Sequence, residues 1–218
     1  MHRLMEVYDR LLDDFGPQGW WPAETAFEVV VGAILTQQTA WKNVETSIEN
    51  LKGAGLMDVE ALAQADVGKI ASLTAPCGFP RTKPLRLKGM ASYISENYGD
   101  VDSFLAKPGE SLREELLALD GIGPETADSI LCYASDKLYF VVDAYTRRIG
   151  NRSGLFDLEE YDEIQFHFQR IIPKDLKTYR EFHALMVQLG KNHCRRKPRC
   201  DSCPLGDMCE HARRSHGD

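Results

Sequence analysis

Four of the six cysteines in this 218-residue sequence, Cys194, Cys200, Cys203 and Cys209, are spaced C-x5-C-x2-C-x5-C within 16 residues. Thiolates are soft ligands, and four at this spacing can wrap one iron–sulfur cluster or one zinc. A tight cluster with no secretory signal points to metal chemistry in the cytoplasm, not to a disulfide framework. A second candidate is Asp143, in VVDAYTRR at 141–148. An aspartate before a helix is a natural N-cap. A carboxylate there can also stabilise an oxocarbenium-like sugar or orient an attacking water. The two roles can coexist. A third candidate is the turn Gly121-Ile122-Gly123 in LLALDGIGPETADSILCYA at 116–134. The glycines permit positive φ and close approach, Ile122 plugs the gap between two helices, and Pro124 opens the second helix. N–H groups at such a helix start can receive a phosphate. Glu125 follows, as an acid favoured in a first turn.

Aromatic and amide groups gather near the front of the chain. Trp20, Trp21 and Trp41 are all of its tryptophans, and the turn LTQQT carries Gln37 and Gln38. Trp20 and Trp21 read equally as core packing or as a wall of an aromatic slot, whereas Trp41, among polar neighbours, reads as facing a cleft. The net charge is −7, yet Lys191, Arg195, Arg196, Lys197 and Arg199 lie in one acid-free stretch, and RTKPLRLK at 81–88 forms a second basic segment. A basic face on an acidic body can still bind phosphates in a salt-dependent way.

Helical elements must position these groups. Phe27, Val30, Val31 and Ile34 follow i, i+3, i+4, i+7 spacing, as do Ala127, Ile130, Leu131 and Ala134, and Phe182, Leu185, Met186 and Leu189. Glycines and prolines punctuate about ten helices. Only residues 138–142 (LYFVV) look extended, and they read as a connector. No apolar run is long enough to span a membrane. The N-terminal residues read as an amphipathic helix, not a signal peptide.

The L-x-G-I-G-x-x-T-A hairpin, followed by V-V-D, resembles the endonuclease III-like, helix-hairpin-helix DNA glycosylases. The pattern WWP … LTQ-T–aromatic … G-F … GIG-x-E … VVD is especially similar to their 3-methyladenine glycosylase branch. The resemblance covers residues 20–210 and implies an all-α fold of two helical subdomains with the DNA-binding cleft between them. A barrel domain with the hairpin would occupy 23–135, and residues 1–22 plus 136–218 would form a second domain ending in the cysteine loop. It further implies a base-excision-repair enzyme that flips a damaged base out of double-stranded DNA and hydrolyses its N-glycosidic bond, acting as a monomer.

On this reading Asp143 is the catalytic carboxylate, and Trp20, Trp21, Trp41, Glu125 and Lys191 line the substrate pocket. Gln38 or Gln37 fills the gap left by the flipped nucleotide, and Phe79 wedges the opposite strand. Gly121, Ile122, Gly123, Arg195, Arg196, Lys197 and Arg199 meet the DNA backbone. The four cysteines hold a [4Fe–4S] cluster, in a loop whose first gap is one residue shorter than the family's. Glu125 stands where strand-cleaving members carry a Schiff-base lysine, so AP-lyase activity is expected to be absent. Stacked indoles suit cationic alkylated purines. Two other functions are compatible with the fold: excision of mismatched adenine or thymine or of oxidised pyrimidines, which calls for a hydrogen-bonding pocket, and a non-catalytic DNA-binding or redox-sensing module.

Overall fold

The computed structural model describes residues 3–215, and these are helical with no strand among them, as expected. In chain order the helices are α1 (Arg3–Phe15), α2 (Ala26–Leu35), α3 (Trp41–Gly53), α4 (Val59–Gln64), α5 (Val67–Leu73), α6 (Lys83–Tyr98) and α7 (Val101–Leu105). There follow α8 (Gly109–Ala118), α9 (Pro124–Ser129), α10 (Ala144–Ser153), α11 (Tyr161–Ile171), α12 (Leu176–Asn192) and α13 (Glu210–Ser215). The number exceeds that read from breaker spacing because α4, α5, α7, α9 and α13 have only five to seven residues. Elements this short carry too little periodicity to be separated from their neighbours.

The chain divides into two compact units, one continuous (Ala23–Lys137) and one built from both ends (Met1–Pro22 and Leu138–Asp218). In the continuous unit α2 is the central rod, with every residue from Phe27 to Leu35 buried. Thr25 caps it by accepting the Glu28 N–H at 3.1 Å, and the buried Glu28 carboxylate in turn accepts the Glu24 N–H and pairs with Lys52. This reciprocal arrangement satisfies the helix start and the buried acid together. Helix α9 continues into a π turn at Ile130–Ala134, where Ser135 N–H reaches back to Ile130 C=O at 3.2 Å. The regular α spacing expected over this stretch is thus widened by one residue per turn.

In the unit built from both ends, α1 buries Leu4, Val7 and Leu11 and packs on α12. An aromatic cluster fills its core, with Phe140 stacked on Phe168 at 4.2 Å and both rings edge-on to Phe182. Aromatic pairs of this kind contribute about 0.5–1.5 kcal/mol beyond the area they bury. No helix among the described residues is long and apolar enough to cross a membrane.

Candidate functional site

Residues 138–142 are neither helix nor strand, and this connector leads directly to Asp143. No strand pairs with it, so side chains of α11 satisfy its backbone. The Phe140 N–H donates to Gln169 Oε1 at 2.9 Å, Gln165 Nε2 donates to the Phe140 carbonyl at 2.8 Å, and the Val142 N–H donates to the Tyr161 hydroxyl at 3.3 Å. Positions 161, 165 and 169 are four apart and share one face of α11. They hold the connector along the helix and fix the entry to α10.

Asp143 caps α10, its Oδ1 accepting the Thr146 N–H at 2.7 Å. It is one of five aspartates that cap helices in this way, with Asp58, Asp66, Asp100 and Asp175. The other four caps are exposed, whereas the Asp143 side chain is 11 % exposed and its Oδ2 lies 3.8 Å from His183 Nε2. Burial, joined by the charge of Lys191, pushes the His183 imidazole below the ordinary histidine range despite the opposing pull of Asp143. His183 is absent from the sequence-derived site; its only signal was a histidine on the apolar side of the Phe182–Leu189 helix. Lys191, one turn before the cysteine loop, is exposed.

The hairpin lies in the continuous unit. Gly121 takes φ +73°, a conformation that favours glycine, and a Cβ there would fall 1.8 Å from Arg86 Nε, so any other residue would also displace the Arg86 side chain. Gly123 does not match the sequence expectation: its φ is −94°, the extended geometry of an N-cap, and nothing lies within 4 Å of where its Cβ would be. Neither a left-handed turn nor crowding by neighbouring atoms within the chain calls for glycine at this position. Ile122 is buried, as a plug between helices would be, while Glu125 is exposed.

The two glutamines of the LTQQT turn do different things. Gln37 Nε2 donates to the Gly121 carbonyl and to Thr126 Oγ1, both at 3.0 Å, and its Oε1 accepts from Arg86 at 2.8 Å. That amide is a strut between turn and hairpin. Gln38 is exposed at φ 54°, and Phe79 is 48 % exposed at φ 52°. With Asp136 these are the non-glycine residues at positive φ among the described residues, a conformation that costs roughly 1–3 kcal/mol unless its surroundings hold it.

The basic segment at 81–88 does not form the expected charged face. Lys83 is 1 % exposed, Arg86 turns inward to Gln37, and Lys88 Nζ donates to the Ala65 carbonyl. Tertiary packing spends these cations on backbone and amide groups, which composition cannot show. Trp20 and Trp21 sit half-buried with their rings 5.3 Å apart at 48°. Trp41 opens α3, also half-buried, and its Nε1 donates to Glu45 at 2.9 Å.

The four cysteines are partly buried in one loop strapped to α10. Arg148 Nε donates to the Cys194 carbonyl at 2.8 Å, and Arg152 donates to the carbonyls of Arg195 and Arg196 and approaches Cys194 Sγ at 3.6 Å. The short first gap closes on itself, with the Arg199 N–H on the His193 carbonyl at 2.9 Å. Arg195, Arg196, Lys197 and Arg199 are exposed. Burial, reinforced by Cys209, Cys194 and Cys200, pushes the Cys203 thiol up to about 11. Burial, with the neighbouring cysteines, also pushes the Cys200 thiol up. Among the described residues no three metal-ligating side chains converge tightly enough for a single ion.

The profile of the HhH-GPD superfamily base excision DNA repair protein matches residues 31–174. The chain is 47 % identical over 209 residues to "Putative DNA repair glycosylase MJ1434" of Methanocaldococcus jannaschii, covering 94 % of this chain and 95 % of that one. Among solved structures it is similar to H. pylori 3-methyladenine DNA glycosylase (MagIII) bound to 1,N6-ethenoadenine, at 31 % identity and a TM-score of 0.78, covering 86 % of this chain and 97 % of the other. A non-covalent endonuclease III–DNA complex shares the fold at a TM-score of 0.84 and 20 % identity, over all of both chains. An endonuclease III-like helical fold, a glycine hairpin and a profile match over most of the chain agree, and the chain belongs to the HhH-GPD superfamily of base excision DNA repair glycosylases.

Proposed function

We propose that this glycosylase is monofunctional and excises alkylated purines such as 3-methyladenine from duplex DNA. The observation that carries the reading is the state of the three tryptophans: large apolar rings, none fully buried, at the positions where the resemblance puts the walls around a base. Similarity to an H. pylori enzyme solved with an ethenoadenine supports it. Indoles attract a cationic base by stacking and cation–π interaction, and cationic purines already have weak glycosidic bonds. Asp143 then stabilises the positive charge that grows on the sugar as the base leaves, and orients the water that completes hydrolysis. The hairpin at 121–123 and the cations of the cysteine loop hold the backbone, while Gln38 fills the gap left by the flipped nucleotide and Phe79 wedges the opposite strand. The test is a release assay on duplexes each carrying one defined lesion, with chromatography of the freed bases. Release of 3-methyladenine or an ethenoadenine is expected; release confined to oxidised pyrimidines or mismatched bases would overturn the reading.

Glu125 cannot form a Schiff base. Product DNA is therefore expected to stay unbroken until heat or alkali is applied, with no covalent complex trapped by borohydride. Efficient trapping would show that another amine serves as nucleophile.

The C-x5-C-x2-C-x5-C spacing supports a [4Fe–4S] cluster that Cys194, Cys200, Cys203 and Cys209 would hold. Such a cluster would lock the loop that displays Arg195, Arg196, Lys197 and Arg199. Protein purified anaerobically is expected to be yellow-brown with about four irons per chain, and Cys203→Ala to lose the colour. A colourless preparation holding a single zinc would sink the assignment.

A further inference from the structure

Lys83 is a lysine with almost no exposure, at the first turn of α6, where neither catalysis nor phosphate binding has a use for it. Its Nζ donates to the Leu35 carbonyl and to the Cys77 carbonyl, each at 2.8 Å, and stands over the Phe79 ring at 5.2 Å. Leu35 is the last residue of α2, three before Gln38, and Cys77 lies two residues before Phe79. One ammonium thus joins the bases of two separate loops and one of the side chains they display. The rest of the Phe79 turn is held in the same place, its carbonyl accepting the N–H groups of Thr82 and Lys83 at 3.1 Å. Cys77 links the turn onward to α3, through the Asn43 carbonyl and Ser47.

We propose that Lys83 is a positioning residue that sets Gln38 and Phe79 in register with each other, so that the two enter the duplex as a single preassembled probe. The inference rests on the reading that these two side chains probe the duplex. The backbone at both is held at positive φ, a conformation that persists only where the surroundings over-determine it. An ammonium has three donors and no geometric preference among carbonyls, which lets it bridge two chain segments where a neutral side chain would satisfy one. Desolvation by burial lowers the pKa of this amine, while the two carbonyls and the ring face favour its charged form. Keeping a charge in such a place is costly when an apolar residue of similar length would fill it. Registration of the two loops is what the charge supplies.

The test compares Lys83→Met, Gln38→Ala and Phe79→Ala, singly and in pairs, in the full chain. Binding is read by anisotropy on a duplex with one tetrahydrofuran abasic analogue and on the same duplex undamaged. Lys83→Met is expected to weaken abasic-duplex binding about tenfold or more while changing undamaged-duplex binding by less than about twofold, and its effects are expected to be sub-additive with Gln38→Ala and Phe79→Ala. Strict additivity, or equal losses on both duplexes, would overturn the proposal. If Gln38→Ala and Phe79→Ala weaken abasic binding but Lys83→Met does not, the proposal fails and the probe reading stands. If neither probe variant has an effect, the probe reading itself fails. Should Lys83→Met not fold, hydrogen exchange on the wild-type chain decides the matter. Segments 36–39 and 78–82 are expected to open at one shared rate and to gain protection together on the abasic duplex, and independent rates would overturn the idea.

Discussion

Asp143→Asn is expected to slow base release by about 10²–10³-fold or more, the range for losing one preorganised electrostatic contact to a developing charge, while abasic-site binding stays near wild type. The substitution is informative because the cap geometry isolates charge from structure. The bond that holds the start of α10 runs from the Thr146 N–H to Asp143 Oδ1, and an asparagine oxygen accepts it equally well. Helix and connector remain in place, and only the negative charge is removed. Asp143→Ala removes charge and cap together, adding a stability loss of about 0.5–2 kcal/mol, which a thermal melt would register as a shift of several degrees. Single-turnover release, abasic binding and melting for both variants separate the two roles. A correctly folded Asp143→Asn protein with near-normal release would reduce Asp143 to a helix cap like Asp58 or Asp175.

Trp41→Ala is expected to cost about tenfold to several-thousandfold in release of cationic alkyl-purines, combining roughly 1–3 kcal/mol for base stacking with about 0.5–2 kcal/mol for cation–π attraction. The indole Nε1 is bonded to Glu45 one turn along the same helix, which fixes the ring's orientation without burying it. Removing the ring should leave the hairpin and the cysteine loop untouched, so binding to an abasic duplex is expected to change little. Trp41→Phe should recover most of the activity, since a smaller ring still stacks. Unfolding of Trp41→Ala, or unchanged release of alkylated bases, would mean that the indole packs the protein and recognises nothing.

Local pattern was enough to read the helices around Phe27–Ile34 and Phe182–Leu189, the connector before Asp143, and the cap itself. It was also enough to place glycine and proline at the hairpin. What escaped was everything decided by burial. Five aspartates cap helices alike, and nothing in their spacing reveals that Asp143 alone stands against a buried histidine. Gln37 and Gln38 are adjacent and identical in type, yet one amide is spent on the hairpin and on Arg86 of α6 and the other is displayed. Lys83 and Arg86, three apart in a basic segment, look like phosphate ligands by composition and are internal ties by packing. Gly123 shows the same limit, since a G-x-G string does not say which glycine bends the chain.

The unit assembled from both ends of the chain has a consequence for biosynthesis. Helix α1 carries Leu4, Val7 and Leu11 on one face, but its partner α12 is translated some 160 residues after it. At about 5–20 residues per second that interval lasts on the order of ten to thirty seconds. Throughout it residues 23–137 can complete their own core, while the apolar stripe of α1 waits without its native partner. While it waits, that stripe is the surface that a factor shielding hydrophobic groups at the ribosome would cover.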